Sequence, residues 1–290
     1  MDVTIERNGF RLVLLPGLGG SIGSFTWRGR DILFPAPAPP PSSPLETAGF
    51  PLFPFSGRID HGRFPWNGRD IRLTPNFPPE PHTIHGQAWL GEWRVEEIDA
   101  HSAHLTYHHE AGQWPWTYRA GQRFELHESG MKLRLELTNL SENTMPAGLG
   151  WHPYFPRGDA QLSAQVSGIW VADTGMIPDR VAPLGAGSDI RALYPVSDLD
   201  LDNAFTATPA NAEIAWPSRG LRMTIESSPE LNHLVVYTPP GKDFFCVEPV
   251  SHAPNAINSA YGSDITGLRT LAPGETLSAS IVLTVRQNNF

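Results

Sequence analysis

Residues 131–138 alternate strictly between apolar and polar side chains, and this alternation constrains the fold more than any other feature of the chain. The apolar positions are Met131, Leu133, Leu135 and Leu137, and the residues between them are lysine, arginine, glutamate and threonine. A period of two places the two sets on opposite faces of an extended strand. This segment therefore predicts a β-strand with one buried and one solvated face.

Further short segments have strand-like composition, and turn-forming residues separate them. The predicted strands span residues 3–7, 10–15, 21–27, 92–98, 103–109, 117–126, 131–140, 221–226, 233–238 and 276–286. No stretch shows a convincing 3.6-residue period, so at most one or two short helical turns are expected, and only short strands beyond residue 152. Many strands at short spacing predict an all-β protein, a large antiparallel β-sandwich. Composition does not divide residues 1–290, so we expect a single domain.

Composition excludes several classes of function. The chain has 290 residues and a formal net charge of -9, without a run of basic residues that could bind nucleic acid. No apolar run approaches membrane-spanning length, and the N-terminus does not resemble a signal peptide. The single cysteine, Cys246, excludes an internal disulfide framework and is predicted to be a small buried hydrophobic residue. We therefore expect a cytoplasmic protein that binds neither nucleic acid nor membrane.

Two patterns resemble ligand sites but are better explained by strands. The glycine-rich segment 17–23 has its third glycine one place too late for a dinucleotide-binding loop, and no helix is predicted after it. His104 and His108 would share one face of a strand, which permits a metal pair. Because no thiol or carboxylate pattern accompanies them, a solvated strand is favoured, and no metal is expected.

Two distant stretches offer an acid and a base. His152 lies among aromatic residues and is followed by Pro153 and Pro156, which restrict the backbone around its imidazole. Glu248 directly precedes Pro249 at the end of an apolar run, so we expect its carboxylate at a strand end, where a cleft can open. The alternative for His152 is a core histidine that makes one hydrogen bond.

The segment between residues 35 and 93 is rich in prolines and aromatic residues. Its first part, 35–44, predicts an extended surface loop. Arg58 lies within apolar sequence, and His85 precedes a glycine. Each of these two residues has a structural interpretation, an ion pair for Arg58 and a turn cap for His85, and a ligand-binding interpretation.

Five short motifs follow one another in the order in which they occur in a known family. They are Gly57-Arg58-Ile59, His85-Gly86, His152-Pro153-Tyr154-Phe155, Leu201-Asp202-Asn203-Ala204-Phe205 and Glu248-Pro249. In this order they resemble the motifs of the aldose 1-epimerases, also called galactose mutarotases, over nearly the whole chain. The resemblance implies a galactose mutarotase-like β-supersandwich with a sugar site in a cleft on one sheet.

The resemblance also implies a function and a set of site residues. It implies an isomerase that interconverts the α and β anomers of a free aldose, a small-molecule sugar, without a cofactor. In this reaction Glu248 would be the general base and His152 the general acid. It further implies that Arg58, His85 and Asp202 bind the sugar. The family usually has asparagine before this arginine, where the chain has a glycine at position 57.

Anomer interconversion needs a proton removed from O1 and a proton delivered to the ring oxygen. We expect the base and the acid on opposite sides of the sugar, about the width of a hexopyranose apart. An ionised Glu248 should keep His152 protonated at neutral pH, and Arg58 should keep Glu248 ionised. Trp27, Trp89 or Phe205 could offer a ring face to the sugar.

Three alternatives remain open at this point. A hexose-6-phosphate 1-epimerase would use the same acid and base and could bind phosphate through Arg63, Arg94 or Arg157. A carbohydrate-binding domain of the same fold would bind sugar without catalysis. A glycoside hydrolase would use two carboxylates, Asp202 and Glu248. The sequence carries no signal for the oligomeric state.

Overall fold

The computed structural model of the protein describes residues 1–37, 40–172 and 176–287. Within these residues the chain forms 24 β-strands, six short 3-10 helices and one α-helix of four residues. The all-β prediction is confirmed. The expectation of one or two helical turns is wrong in number, because several of the connections between strands close into a single 3-10 turn.

The first half of the chain forms twelve strands. They are β1 (Val3–Arg7), β2 (Phe10–Leu15), β3 (Ser21–Trp27), β4 (Arg30–Asp31), β5 (Gly49–Leu52), β6 (Arg58–Ile59), β7 (Arg63–Trp66), β8 (Arg69–Arg72), β9 (Thr83–Ile84), β10 (Arg94–Ile98), β11 (Ser102–His109) and β12 (Tyr118–His127). The 3-10 helices in this half are Pro44–Glu46, Asp60–Gly62 and Ala88–Leu90. The first of them ends the predicted surface loop at 35–44, of which positions 38 and 39 lie outside the described residues.

The second half contributes twelve more strands. They are β13 (Gly130–Asn139), β14 (Met145–Ala147), β15 (Gly150–Pro156), β16 (Gln161–Val171), β17 (Arg180–Ala182), β18 (Tyr194–Pro195), β19 (Asp202–Trp216), β20 (Leu221–Ser227), β21 (His233–Tyr237), β22 (Phe244–Val250), β23 (Arg269–Leu271) and β24 (Thr276–Gln287). The helices are the 3-10 turns Val196–Asp198, Pro217–Arg219 and Ala256–Asn258, and α1 (Ser263–Thr266). No helix within the described residues is both long and apolar enough to cross a membrane.

Most predicted strands agree with the structure. The three N-terminal strands have the predicted bounds, and the other predicted strands differ from the observed bounds by one or two residues at an end. The expectation of only short strands beyond residue 152 is wrong, because β16 has 11 residues and β19 has 15. Strand β3 begins within the glycine-rich segment 17–23, and within the described residues no helix follows this segment directly, which agrees with the rejection of a dinucleotide-binding loop.

Antiparallel pairing joins the long strands into two runs that share β19. The first run is β10, β11, β12, β13, β24, β20 and β19, in order of pairing. The second run is β1, β2, β3, β5, β15, β22, β21 and β19. Residues 212–216 of β19 pair with β20, residues 202–206 pair with β21, and β16 pairs along the other edge of β19.

A single large apolar cluster contains side chains from both runs. It includes Leu12 and Phe25 of the second run and Leu133, Leu135 and Leu283 of the first, none of which has measurable solvent exposure. The predicted buried face of β13 is thus confirmed, and its polar residues lie on the other face. Two runs of antiparallel strands that enclose one core form the predicted β-sandwich.

Candidate functional site

A cleft with a volume of about 620 Å³ lies on one face of the second run of strands. All five residues predicted for the site contribute to its walls: Arg58, His85, His152, Asp202 and Glu248. The structure therefore brings together side chains that are up to 190 positions apart in the sequence, from residue 58 to residue 248.

Strand register explains why His152 and Glu248 meet. Strand β15 pairs Gly150 with Val250 and Tyr154 with Cys246 of β22, so position 152 lies opposite position 248. Side chains at cross-strand positions project from the same face of a sheet and lie close together. The register, rather than any local motif, thus creates the pair.

The same register lays out the rest of the cleft floor. Glu248 pairs with Val235 on β21, and Val235 pairs with Ala204 on β19. A second row of paired residues lies next to the first, two positions away along each strand. It consists of Tyr154, Cys246, Tyr237 and Asp202. Because residues i and i+2 share a face of a strand, both rows point toward the cleft.

The expected location of Glu248 at a strand end is wrong. Glu248 lies inside β22, and Pro249 continues the strand because its fixed backbone angle is compatible with an extended chain. The cleft consequently opens over the face of the sheet and not at its edge.

The expected separation of the acid and the base is also wrong. The Nε2 atom of His152 lies 3.3 Å from Oε1 of Glu248, so the two groups are in contact and not a sugar's width apart. Their exposed fractions are 8% and 3%, which places both at the bottom of the cleft. Neighbouring strands hold them together, and the antiparallel spacing leaves no room for a sugar ring between them.

Aromatic rings fix the orientation of the His152 imidazole. Phe50, its cross-strand neighbour on β5, stacks on it with a centroid distance of 4.6 Å and an angle of 24°. The Tyr154 ring lies 4.9 Å away, and the His85 ring meets the imidazole edge-on at 5.6 Å. A ring enclosed in this way has few alternative rotamers, so Nε2 stays directed at the carboxyl group.

Burial opposes both charges of the pair. It lowers the pKa of His152 from 6.5 to about 3 and raises the pKa of Glu248 well above its usual 4.5. Asp202 raises the pKa of Glu248 further, whereas Arg58 lowers it. The expectation of a protonated His152 beside an ionised Glu248 at neutral pH is therefore wrong, because both groups lose their hydration. Burial thus favours the uncharged form of each group.

Arg58 and His85 lie on a short two-stranded ribbon at the side of the cleft. Arg58 on β6 pairs with Ile84 on β9, and the next residue, His85, donates its backbone N–H to the carbonyl of Gly57 at 2.9 Å. The Gly57 N–H in turn donates to Nδ1 of His85 at 3.2 Å. Burial, the most important cause, lowers the pKa of His85 well below 6.5. A neutral ring that accepts at Nδ1 carries its proton on Nε2, which makes that atom a donor.

A buried histidine anchors this ribbon to the floor. The Ser56 N–H donates to Nε2 of His252 at 3.1 Å, and Nδ1 of His252 donates to the carbonyl of Ala253 at 2.8 Å. The Asn255 N–H also donates to the carbonyl of Arg58 at 2.7 Å. These bonds tie the segment around Arg58 to the chain that follows β22. Sequence reasoning did not identify His252, although it lies four residues after Glu248.

Asp202 begins β19 and lies at the solvent-exposed side of the cleft. Partial burial raises its pKa above 3.8, and the charge of Arg58 opposes this shift. Its carboxyl group is therefore available as a hydrogen-bond acceptor within reach of both solvent and a ligand.

The prediction that Phe205 or Trp89 faces the sugar is wrong, and Trp27, the third residue considered, does not line the cleft. Phe205 is fully buried, because it alternates with Ala204 and so points to the core, and Trp89 is 1% exposed and stacks on Phe50. Trp27 stacks on Phe10 and is not among the described cleft residues. Aromatic residues that do line the cleft are Phe77, Tyr154, Trp170, Tyr237 and Phe244. The i+2 rule applied to His152 could have found Tyr154.

Sequence reasoning also missed a carboxylate in the cleft. Glu80 lies on the loop between β8 and β9, and its Oε1 accepts a hydrogen bond from Nε of Arg58 at 3.2 Å. The two predicted interpretations of Arg58 are thus compatible, because it forms an ion pair and also lines the cleft. No local pattern around Glu80 indicated this contact.

Two groups of three side chains in the described residues could in principle hold a metal ion, because their ligand atoms lie within 4.8 Å of one another. They are Asp60, His61 and His82, and His152, Cys246 and Glu248. Burial raises the pKa of the Cys246 thiol, which opposes the thiolate form that binds metals. His104 and His108, the pair considered above, instead contact Arg123 and Glu110.

Comparison with known proteins relates the whole chain to one family. Residues 1–284 match the family model described as aldose 1-epimerase. The uncharacterised protein YphB of Escherichia coli (strain K12) is 32% identical over 276 residues, which cover 92% of this chain and 93% of YphB. A solved structure from Escherichia coli K12, provisionally described as an aldose 1-epimerase, is 30% identical, with a TM-score of 0.88 and 99% of each chain covered.

Two more distant structures share the fold. A galactose mutarotase-like protein from Clostridium acetobutylicum has a TM-score of 0.91 at 20% identity, covering 99% of this chain and 95% of its own. The galactose 1-epimerase of Lactobacillus acidophilus NCFM has a TM-score of 0.81 at 18% identity, with the same coverage. The predicted galactose mutarotase-like fold is confirmed.

Proposed function

Because the chain belongs to the aldose 1-epimerase family, we propose that it is an isomerase that interconverts the α and β anomers of a free, uncharged aldose. The observation that carries this proposal is the contact of 3.3 Å between Nε2 of His152 and Oε1 of Glu248 at the bottom of the cleft. With one buried cysteine and no disulfide to form, the proposed location is the cytoplasm.

Contact between the acid and the base suits this reaction. Ring opening breaks the bond between C1 and the ring oxygen and forms the C1=O1 double bond of the aldehyde. Glu248 removes the proton from O1, and His152 delivers a proton to the ring oxygen. Both oxygens are bonded to C1, so the two groups must serve neighbouring atoms. After rotation about the C1–C2 bond, the roles reverse and the ring closes on its other face.

The charge state of the pair supplies the single proton that this mechanism uses. In the free site burial favours the uncharged form of each group, so for Glu248 to act first as the base, the proton of the pair must move to His152 when the sugar binds. Arg58 favours this arrangement, because its charge lowers the pKa of Glu248. Proton transfer by positioned groups contributes about two to four orders of magnitude in rate each, which is substantial for a reaction that already proceeds in water.

The other predicted residues would hold the sugar in place. Arg58 and the Nε2–H of His85 would donate hydrogen bonds to hydroxyl oxygens, and the Asp202 carboxylate would accept from hydroxyl groups. The rings of Tyr154 and Tyr237 on the floor offer apolar surface to the C–H groups of the sugar.

The charges of the cleft favour an uncharged sugar over a sugar phosphate. Arg58 is the only arginine or lysine among the described residues that line the cleft, and Glu80 and Asp202 accompany it. Of the residues considered for a phosphate, Arg63, Arg94 and Arg157, none is among these cleft residues. A dianionic phosphate would therefore meet carboxyl groups without a set of arginines to bind it.

Polarimetry on Glu248→Gln tests the proposal. The amide keeps the shape of the side chain but cannot accept the O1 proton, so the rate of anomerisation should fall by about two to four orders of magnitude. Sugar binding, measured by calorimetry, should change little. Glu226→Gln, on an exposed face of β20, is the control and should behave as the wild type. A wild-type rate in Glu248→Gln would exclude this base, and binding without any catalysis in the wild type would indicate a carbohydrate-binding domain.

A further inference from the structure

Glu80 has no part in the proton transfers described above, and Arg58, its ion-pair partner, acts on them only through its charge. Both side chains line the cleft, and both are mostly buried, with exposed fractions of 25% for Arg58 and 20% for Glu80. A pair that is simply structural gains nothing from facing a cleft, where water weakens it. The pair therefore lies where it can contact a ligand bound in the cleft.

The geometry leaves hydrogen-bonding capacity on both partners. Glu80 accepts from Nε of Arg58, which is the inner nitrogen of the guanidinium group, so the terminal nitrogens are free to donate elsewhere. Among the described residues, only Arg58 donates a side-chain hydrogen bond to the Glu80 carboxylate. A carboxylate has two oxygens and about four acceptor positions, so Glu80 retains acceptors toward the cleft.

Neighbouring residues hold the Glu80 carboxylate in this orientation. The backbone N–H of Glu80 donates to the carbonyl of Phe77 at 2.9 Å. This bond closes a backbone turn over residues 77–80, from which the Glu80 side chain extends. The His61 N–H donates to Nδ1 of His82 at 3.1 Å, so Nδ1 accepts and Nε2 is the donor nitrogen of this ring. That nitrogen lies 3.7 Å from Oε1 of Glu80, a favourable electrostatic contact beyond hydrogen-bond length.

The Arg58 charge also acts on the rest of the site. The guanidinium lines the same cleft as Glu248, Asp202 and His85. Its charge acts to lower the pKa of each of these three groups. A sugar that places C1 at His152 and Glu248 would therefore have other hydroxyl groups close to Arg58 and Glu80. This step rests on the proposed function, because it requires a sugar in the cleft.

We propose that Arg58 and Glu80 form a donor–acceptor pair that binds two neighbouring hydroxyl groups of the sugar and determines specificity. The guanidinium donates to one hydroxyl oxygen, and the carboxylate accepts from the adjacent hydroxyl group. The pair is neutral overall and so matches an uncharged diol. A sugar that lacks either hydroxyl group leaves one charged partner unsatisfied, and buried sites of this kind reject such analogues strongly.

The test compares an aldose substrate with its monodeoxy analogues on the wild type, Glu80→Ala and Glu80→Gln. The wild type should lose about tenfold or more in kcat/KM for deoxygenation at adjacent positions, consistent with the loss of hydrogen bonds to charged groups. Glu80→Ala should raise KM for the parent aldose about tenfold, leave kcat within about threefold, and reduce this discrimination. Glu80→Gln, which still accepts from Arg58 but is uncharged, should be intermediate.

Glu213→Ala is a matched control. It removes the partner of another half-buried pair, Arg222–Glu213, with exposed fractions of 33% and 28%, outside the described cleft residues. This variant should keep the wild-type discrimination.

Two outcomes would overturn the proposal: unchanged discrimination in Glu80→Ala, or a fall in kcat at constant KM. If Glu80→Ala does not fold, the nearly isosteric Glu80→Gln decides by the same criteria. Calorimetric binding of the same sugars separates this proposal from the proposed function. If the wild type binds sugar but does not catalyse anomerisation, the deoxy discrimination in affinity still tests the Arg58–Glu80 pair.

Discussion

The His152–Glu248 contact is buried, so its energetics differ from those of an ion pair on the surface. Exposed pairs contribute at most about 1 kcal/mol, because water screens both charges. Here both groups are nearly inaccessible to solvent. Burial lowers the pKa of His152 and raises the pKa of Glu248, so it favours the neutral form of each group. The two residues therefore share a proton and depend on each other, since removing one leaves the other without its partner.

This dependence predicts non-additive effects of substitution. His152→Gln and Glu248→Gln should each reduce kcat by about two to four orders of magnitude, because each removes one of the two proton transfers. The double variant should lose little more than the worse single variant, since either substitution disables the pair as a unit. Steady-state polarimetry on the four proteins measures this. Losses that multiply would show that the two residues act independently.

At the scale of elements, the short ribbon of β6 and β9 positions the side of the cleft by close backbone contact. His85 and Gly86 have φ angles of 59° and 72°, and Gly86 forms an isolated bridge with Phe53. A Cβ atom on Gly86 would lie 1.9 Å from the carbonyl oxygen of Phe53. Glycine is therefore required both by the left-handed backbone and by the approach of the neighbouring chain.

Gly86→Ala should lower the free energy of unfolding by about 3 kcal/mol or more, because the backbone at Phe53 must move. The control is Gly29→Ala, which has a similar φ of 74° but no atom within 4 Å of the added Cβ. This control should cost only about 1 kcal/mol, the price of the left-handed conformation. Urea denaturation of both variants measures the difference. Equal losses would contradict the role of the Phe53 contact.

Sequence patterns predicted the strands that alternate clearly and missed those that do not. Strand β13 was evident from its period of two, whereas β19 contains several alanines, two asparagines and Pro209, which are uncommon in strands. Its 15 residues form a strand because partners on both edges supply hydrogen bonds, and no local pattern reports this. The family motifs named the five candidate residues. The contact of Glu80 with Arg58 depends on loop packing, and the distance between His152 and Glu248 depends on strand register. Neither can be read from the sequence before the sheet is assembled.

For the whole molecule, the balance of buried ionisable groups sets how stability depends on pH. His233 and His252 are 2% and 3% exposed, and burial lowers the pKa of His233 to about 3 and that of His252 to about 4. In the unfolded chain a histidine titrates near 6.5, so below that pH the unfolded state binds protons that the folded state excludes. Stability should therefore fall as the pH decreases from about 6.5 to 4.

The contribution of His252 can be isolated by substitution. A shift from 6.5 to about 4 corresponds to about 3 kcal/mol of unfolding free energy lost by pH 4. His252→Gln removes this titration, so its stability should fall by about 3 kcal/mol less than that of the wild type between pH 7 and 4. The raised pKa of Glu248 acts in the opposite direction but is common to both proteins. Denaturation curves at several pH values measure the difference, and parallel pH dependences would refute the assignment.

That residues 1–290 form one domain remains a prediction, and the shared core supports it. Strand β19 belongs to both runs, so the two layers are joined by an unbroken backbone as well as by side-chain packing. Asp202, at one end of this strand, lines the cleft. Trp216, at the other end, pairs with β20 of the first run. The cleft floor consequently cannot tilt against the layer behind it without breaking inter-strand hydrogen bonds. Under the proposed function, sugars of different shape would then be accommodated by the loops around the rim, and new specificity should evolve by changes in these loops while the sheet stays the same.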